Sequence, residues 1–176
     1  MNMKKRKAIN ALADSLFDTL ELTFPVAVED VPEILGGELI IKEFENNELE
    51  AMIRKVDDSF EIQISPDKPN FRKRFSIAHE IGHLFLHMGY LMNPKLWNEV
   101  GDYRDSVFYR LGHSIEEKEA NEFAGAFLMP EQEFIKISRE NLENGRYDLE
   151  KISKYFDVSQ EAALVRGKTL GLISWG

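Results

Sequence analysis

Two histidines separated by three residues, with a glutamate directly after the first, lie inside a strongly apolar part of this chain. The residues are His79-Glu80-Ile81-Gly82-His83, and the segment from Phe75 to Leu86 around them is rich in Ile, Leu, Phe and Ala. Such a segment predicts a helix that is buried on most of its circumference. Residues four apart in a helix lie one above the other, so both imidazoles can reach the same metal ion. Polar groups in a buried helix need partners, and a shared metal ion would supply them.

The same five residues indicate a particular chemistry. In the pattern His-Glu-x-x-His, His79 and His83 bind Zn²⁺, and Glu80 lies beside them as a general base that takes a proton from water. The alternative interpretation is a helix with two ordinary surface histidines. The apolar flanks argue against that alternative, and the motif therefore predicts the zinc site of a peptidase.

A catalytic zinc ion usually has three protein ligands and a water molecule, so a third ligand must come from another part of the chain. The chain contains no cysteine, which leaves histidine and carboxylate as candidates and also excludes disulfides. His87 lies eight residues after His79, about 12 Å along a helix, which is too far for a common metal ion. We therefore expect His87 to be an outer residue near the helix end. His113 remains a candidate ligand.

The better source of a third ligand is the predicted helix that follows Ser114. Its core face should carry Ala120, with Glu117 one turn earlier and Asn121 one turn after Glu117. A carboxylate with an amide four residues later can supply both a ligand and a group that orients an imidazole. Ser114-x-x-Glu117 is also a capping-box pattern, in which Glu117 would fold back onto the helix start. We prefer Glu117 as the ligand, with two alternatives on the same helix, Glu116 and Glu119.

Outside the motif, the spacing of apolar and turn-forming residues predicts an α+β fold. We expect helices over residues 3–21, 71–88, 114–130, 131–140, 149–156 and 160–170, and a short one after Asp30. Strands are expected over residues 38–45, 48–56 and 60–64, with Asn46-Asn47 as the turn of a hairpin that joins the first two. The third strand would pair with an extended substrate at a sheet edge, or would simply be a core strand.

The charge and hydropathy of the chain exclude several classes of protein. The net charge is −9, with 22 basic against 31 acidic residues, so the long-range field would repel nucleic acid. No stretch approaches the roughly 18 apolar residues that a membrane span needs. The basic N-terminal segment resembles a signal peptide, but Asp14 and Asp18 interrupt the apolar run that a signal requires. The sequence therefore predicts a cytoplasmic protein.

Two segments together resemble a known family. Residues Arg74 to His87, which include the motif, and Glu117 to Pro130 are similar to the ImmA/IrrE-type metallo-endopeptidases. The resemblance extends to Phe24 to Val28 and to the short helix after them, and it covers residues 20 to 170 in order.

The resemblance implies a fold, a site and a substrate class. The fold would be a zincin-like α+β core with a small sheet of three or more strands, in which the motif helix packs on a helix that bears a glutamate. Zn²⁺ would be held by His79, His83 and Glu117. The substrate would be a specific protein, typically a helix-turn-helix transcriptional repressor of a phage, mobile element or stress regulon. We expect residues 1–140 to form this core and residues 141–176 a helical hairpin packed on it.

Residues 89–112 show no regular pattern and connect the two helices that carry the candidate ligands. A long irregular connection in a compact domain is often functional, so we expect it to form a flap or a wall of the cleft. Tyr103, Tyr109 and His113 are candidates for the side chain that donates a hydrogen bond to the oxyanion of the transition state.

A competing function is that of a regulator that binds DNA or protein and whose His-Glu-x-x-His site is not catalytic. Residues 148–166 have the spacing of a helix-turn-helix, and four basic residues in or just after this segment could face DNA: Lys151, Lys154, Arg166 and Lys168. Acidic residues interleave with them, and the same spacing serves any pair of antiparallel helices. Direct binding of nucleic acid is therefore not the favoured prediction.

Overall fold

A computed structural model describes residues 1–45, 49–100 and 114–174 of the chain. Within these residues the fold is α+β, as predicted. The helices are α1 (Met3–Thr19), α2 (Val31–Ile34), α3 (Asn70–Leu86), α4 (Pro94–Glu99), α5 (Ile115–Leu128), α6 (Glu131–Glu140), α7 (Leu149–Phe156) and α8 (Gln160–Thr169). The strands are β1 (Glu38–Ile41), β2 (Ala51–Val56), β3 (Ser59–Ile64), β4 (Leu142–Glu143) and β5 (Arg146–Tyr147). No helix in these ranges is long and apolar enough to cross a membrane.

The main sheet has three strands in the order β1-β3-β2. β1 runs parallel to β3, and β2 runs antiparallel to it through a tight turn in which Asp57 has φ 53°. Ile53 of β2 pairs with Ile62 of β3, and both residues are fully buried. Phe60 of β3 is only 1% exposed. Alternation of apolar side chains places one face of the sheet against the core.

Two predictions about the sheet are wrong. β1 and β2 are not neighbours, so the expected hairpin between the first two strands does not form, and the proposed turn at Asn46-Asn47 lies outside the described residues. β3 lies between the other two strands, so residues 60–64 have no open edge to offer a substrate. The parallel pairing of β1 with β3 joins residues such as Leu39 and Ile62, which are distant in sequence.

Helix α3 passes between the sheet and α5 and is buried over most of its length, as its apolar sequence predicts. Gly82 lies in close contact with α5. A Cβ atom at Gly82 would lie 3.2 Å from the Cα of Ala120 and 3.2 Å from the Cβ of Phe123. The absence of a side chain at Gly82 and the small side chain of Ala120 therefore let the two helices approach closely. This contact determines where the side chains of α5 meet those of α3.

Helices α7 and α8 form a hairpin that is tied to the core by buried arginines. Arg166 of α8 donates from Nε to the Met129 carbonyl and from Nη2 to Asn10 Oδ1, both at 2.9 Å. Its exposed fraction is only 3%, so the suggestion that Arg166 would face DNA is wrong. Arg74 of α3 donates from Nη2 to the Val26 carbonyl at 2.7 Å and from Nε to the carbonyl of Asp157, in the turn between α7 and α8.

The predicted irregular connection after α3 is partly regular. Its first part contains α4, which Asn93 caps, and Trp97 of α4 is buried against Tyr90. The Tyr90 hydroxyl donates to the Leu35 carbonyl at 2.7 Å, which holds this segment onto the loop before β1. Residues 101–112 of the connection lie outside the described ranges. The short β4–β5 hairpin was not predicted, although its Asn144-Gly145 turn, with φ 51° and 75°, is a typical hairpin signal.

Candidate metal centre

Three side chains from α3 and α5 meet in the interior between the two helices. His79 and His83 lie on adjacent turns of α3, and their Nε2 atoms are 3.0 Å apart. Glu117 of α5 places Oε2 3.3 Å from His79 Nε2 and Oε1 3.1 Å from His83 Nε2. The ligand atoms of all three residues lie within 4.8 Å of one another. The structure thus brings together the three residues that the sequence suggested as metal ligands.

The arrangement of these atoms fits a divalent transition metal ion. Each residue presents a lone pair to one point, and two imidazole nitrogens with one carboxylate are a donor set that Zn²⁺ accepts. His83 and Glu117 are almost fully buried, with exposed fractions of 1% and 5%. Three lone-pair donors at this separation in the interior repel one another unless a proton or a metal cation lies between them. With three protein ligands, a zinc ion would keep a fourth position open for water.

The protonation states of the site also suit metal binding. Burial lowers the pKa of His83 from 6.5 to about 4, against the opposing influence of the Glu117 carboxylate beside it. Burial by itself would raise the pKa of Glu117, but its close contacts with His79 and His83 hold this pKa well below its ordinary value. Near neutral pH, His83 is therefore a neutral imidazole with one unprotonated ring nitrogen, and Glu117 is an anion.

The start of α5 determines the direction of the Glu117 side chain. Ser114 is the N-cap, and its Oγ accepts a hydrogen bond from the Glu117 backbone N–H at 3.1 Å. The Glu117 carboxylate, however, turns towards His79 and His83 and not back to the helix start. Only one half of the capping box forms, since the carboxylate of Glu117 is directed towards the two histidines.

Each histidine also has a partner for its outer nitrogen. His79 Nδ1 lies 3.0 Å from Asn121 Oδ1, and because an amide oxygen only accepts, the proton of His79 is on Nδ1. His83 Nδ1 lies 2.9 Å from His87 Nδ1. The pairing of His79 with Asn121 follows from the spacing that the sequence suggested. The outer nitrogens are thus engaged, and Nε2 of each ring faces the shared point.

The other candidates from the sequence occupy different positions. Glu80 is completely buried on the same turn of α3 as His79. Glu116 is exposed, while Glu119 is buried but lies 3.3 Å from His87 Nε2 and not beside the two motif histidines. The candidate oxyanion donors Tyr103, Tyr109 and His113 lie outside the described residues.

Sequence reasoning did not identify the contact between His87 and Glu119. The signal was nevertheless present. His87 follows His83 by four residues and therefore lies on the same stripe of α3, and Glu119 is two residues after Glu117. The sequence alone does not show that α5 reaches beyond the ligands to this stripe, because that depends on how closely the two helices pack.

The chain is similar to known proteins at the level of family and of fold. Residues 39–168 match the model of the Peptidase_M78 family, described as the IrrE N-terminal-like domain. No curated protein matches the chain. Among solved structures, a Mycobacterium tuberculosis transcriptional regulator is similar, with a TM-score of 0.62 and 18% sequence identity. The similarity covers 92% of this chain and 46% of that one, so the chain spans about half the length of the regulator, and the likeness concerns the fold alone.

Proposed function

Because the chain belongs to the Peptidase_M78 family, we propose that it is a zinc-dependent metallo-endopeptidase that hydrolyses a peptide bond in a specific protein. The observation that carries this proposal is the convergence of one ligand atom each from His79, His83 and Glu117 within 4.8 Å. The complete burial of Glu80 on the same turn of α3 supports it, because a peptidase of this type needs a carboxylate beside its metal ligands. The core that holds these residues is proposed to be zincin-like.

His79, His83 and Glu117 would hold the zinc ion. When bound, the ion supplies a Lewis acid that polarises the scissile carbonyl and makes water more acidic. Glu80 accepts the proton of the attacking water and delivers it to the nitrogen of the leaving amine. Glu117 contributes one negative charge and the two imidazoles contribute none, so the donor set cancels only part of the charge of a divalent cation. We place the donor to the oxyanion in the segment that contains Tyr103, Tyr109 and His113.

The proposed substrate is a helix-turn-helix transcriptional repressor. This proposal rests on the resemblance to the ImmA/IrrE-type peptidases and on the family match. Within the proposed organisation, residues 1–140 form the peptidase core, and residues 141–176 form a helical hairpin on its surface. Lys151 and Lys154 of this hairpin are each paired with acidic residues, which argues against a surface made to bind phosphate groups.

The test uses purified protein loaded with zinc and a helix-turn-helix repressor that is encoded beside it. We expect about one zinc ion per chain and cleavage of the repressor at one position, seen by mass spectrometry. Glu80→Gln should retain zinc and cleave at least about 100-fold more slowly, because an amide keeps the shape of the side chain but cannot accept the proton. His79→Ala should lose the zinc.

Three outcomes would contradict the proposal. If the wild-type protein bound no zinc, the proposed function would be wrong. Cleavage by Glu80→Gln at the wild-type rate would exclude Glu80 as the general base. Zinc-loaded protein that cleaves no repressor but shifts DNA at physiological salt would favour a regulator with a non-catalytic site.

A further inference from the structure

A line of two hydrogen bonds and one ion pair leads from His83 away from the candidate metal centre. His83 Nδ1 lies 2.9 Å from His87 Nδ1, His87 Nε2 lies 3.3 Å from Glu119 Oε2, and Lys5 Nζ lies 3.0 Å from the same Glu119 oxygen. His87 directly follows α3, Glu119 belongs to α5 and Lys5 belongs to α1, so the line connects three helices. His79 differs from His83 in this respect, because its outer nitrogen bonds directly to the amide of Asn121.

Only one placement of protons satisfies every contact in this line. His83 Nε2 faces the metal position, so the proton of His83 is on Nδ1 and is donated to His87 Nδ1. His87 Nδ1 must then be an acceptor, which puts the His87 proton on Nε2. That proton is donated to Glu119, whose carboxylate only accepts. If His87 also carried a proton on Nδ1, this N–H and the Nδ1–H of His83 would point at each other, with their nitrogens only 2.9 Å apart.

Burial makes this arrangement costly to change. The exposed fraction of the side chain is 1% for His83 and 9% for both His87 and Glu119. Water therefore has little access to the outer nitrogen of His83. If His87 no longer accepted its proton, a buried N–H would lose its partner, which destabilises more than the bond itself contributes.

We propose that His87 and Glu119 are positioning residues that hold His83 in the tautomer and orientation required for zinc binding. The inference rests on the proposed zinc site. In many metal sites a ligating histidine donates its second N–H directly to a carboxylate, which orients the ring and increases its basicity. Here a neutral imidazole is inserted between the ligand and the carboxylate. Lys5 completes the line from α1, but its side chain is 46% exposed, so its ion pair contributes little.

The test compares zinc affinity, measured by competition with a chromogenic chelator, among variants of the full chain. His87→Phe keeps a planar ring but accepts no proton, and its dissociation constant should rise about 10- to 100-fold. In His87→Gln the amide oxygen can still accept from His83, so the loss should be clearly smaller. Glu119→Gln removes the charge but retains an acceptor, and its affinity should fall between that of wild type and that of His87→Phe.

Glu116→Gln is the matched control, since it removes the same charge from an exposed position of α5. Its zinc affinity should equal that of wild type. A second measurement detects orientation directly. In the zinc-loaded wild type, nitrogen-15 NMR should show the His83 proton on Nδ1 with slow exchange, and in His87→Phe this proton should exchange fast.

The possible results separate the inference from the function it rests on. Wild-type affinity in His87→Phe and Glu119→Gln, with zinc still bound by the wild type, would overturn the inference alone. Failure of the wild type to bind zinc would overturn the proposed function. If His87→Phe does not fold, His87→Gln and Glu119→Gln decide the matter, because both retain polar side chains of similar size.

Discussion

The same substitution at two glycines should have opposite effects, because only one of them lies at a helix contact. Gly82 faces α5, where an added Cβ would meet Ala120 and Phe123 at 3.2 Å. Among the described residues, an added Cβ at Gly125, in the last turn of α5, would meet no atom within 4 Å beyond its chain neighbours and the backbone of its own helix. Gly82→Ala and Gly125→Ala therefore add the same methyl group to two packed helices, once into a contact and once into open space.

The expected magnitudes follow from two opposing contributions. Replacing glycine by alanine within a helix stabilises it by about 0.5–1 kcal/mol. Nothing opposes this gain at Gly125, so Gly125→Ala should be stabilised by that amount. At Gly82 the overpacking costs about 1–3 kcal/mol, so Gly82→Ala should be destabilised by up to about 2 kcal/mol. Zinc affinity should also fall in Gly82→Ala, since α5 must move by a few tenths of an ångström and carries Glu117.

Chemical denaturation of metal-free protein measures the stability of the two variants, and chelator competition measures their zinc affinity. The free energy of unfolding of Gly82→Ala should be about 1–3 kcal/mol below that of Gly125→Ala. If Gly82→Ala were as stable as Gly125→Ala and bound zinc equally well, the close approach of α3 and α5 would not be what positions the ligands.

Three further predictions concern the ligands and the core. Glu117→Ala should bind zinc at least about 100-fold more weakly than Glu116→Ala by chelator competition, and equal affinities would exclude Glu117 as a ligand. The folded pKa of His83 is about 4 against 6.5 when unfolded, so the unfolded chain binds more protons between these values. Metal-free protein should thus lose up to about 3 kcal/mol of stability as the pH falls from 6.5 to 4, as urea titrations at several pH values can show. Arg74→Met should lower stability by about 2–3 kcal/mol, because the carbonyls of Val26 and Asp157 lose a charged hydrogen-bond donor; an unchanged urea midpoint would contradict this.

The features that the sequence predicted correctly depend on local spacing. The buried helix α3 follows from apolar residues around the motif, and the position of α5 follows from its N-cap Ser114 and its small core residues. The family followed from two motifs in the right order, and the family match confirms it. The relation of Glu117 to Asn121 was also visible, because one turn of helix separates them.

The features that the sequence did not predict depend on pairing between distant segments. Nothing local distinguishes β1 paired with β2 from β1 paired in parallel with β3, since both arrangements bury the same alternating side chains. Arg166 looks like a surface cation in the sequence, because its partners, Asn10 and Glu122, belong to other helices. The sequence analysis also missed the contact between His87 and Glu119, because these residues belong to segments that are distant in sequence.

The position of α5 depends on contacts between parts of the chain that are far apart. Arg6 and Asn10 of α1 both donate to Glu122, and Arg166 of α8 donates to Asn10, from which it is separated by 156 positions. Bringing such distant segments together costs more chain entropy than forming a local turn, and folds with many such contacts form slowly. During refolding, helices should therefore appear early, while Glu117 reaches α3 only when these distant contacts close. The uptake of zinc would then mark the last step of folding, and a newly made chain would stay without its metal until nearly all of it was available.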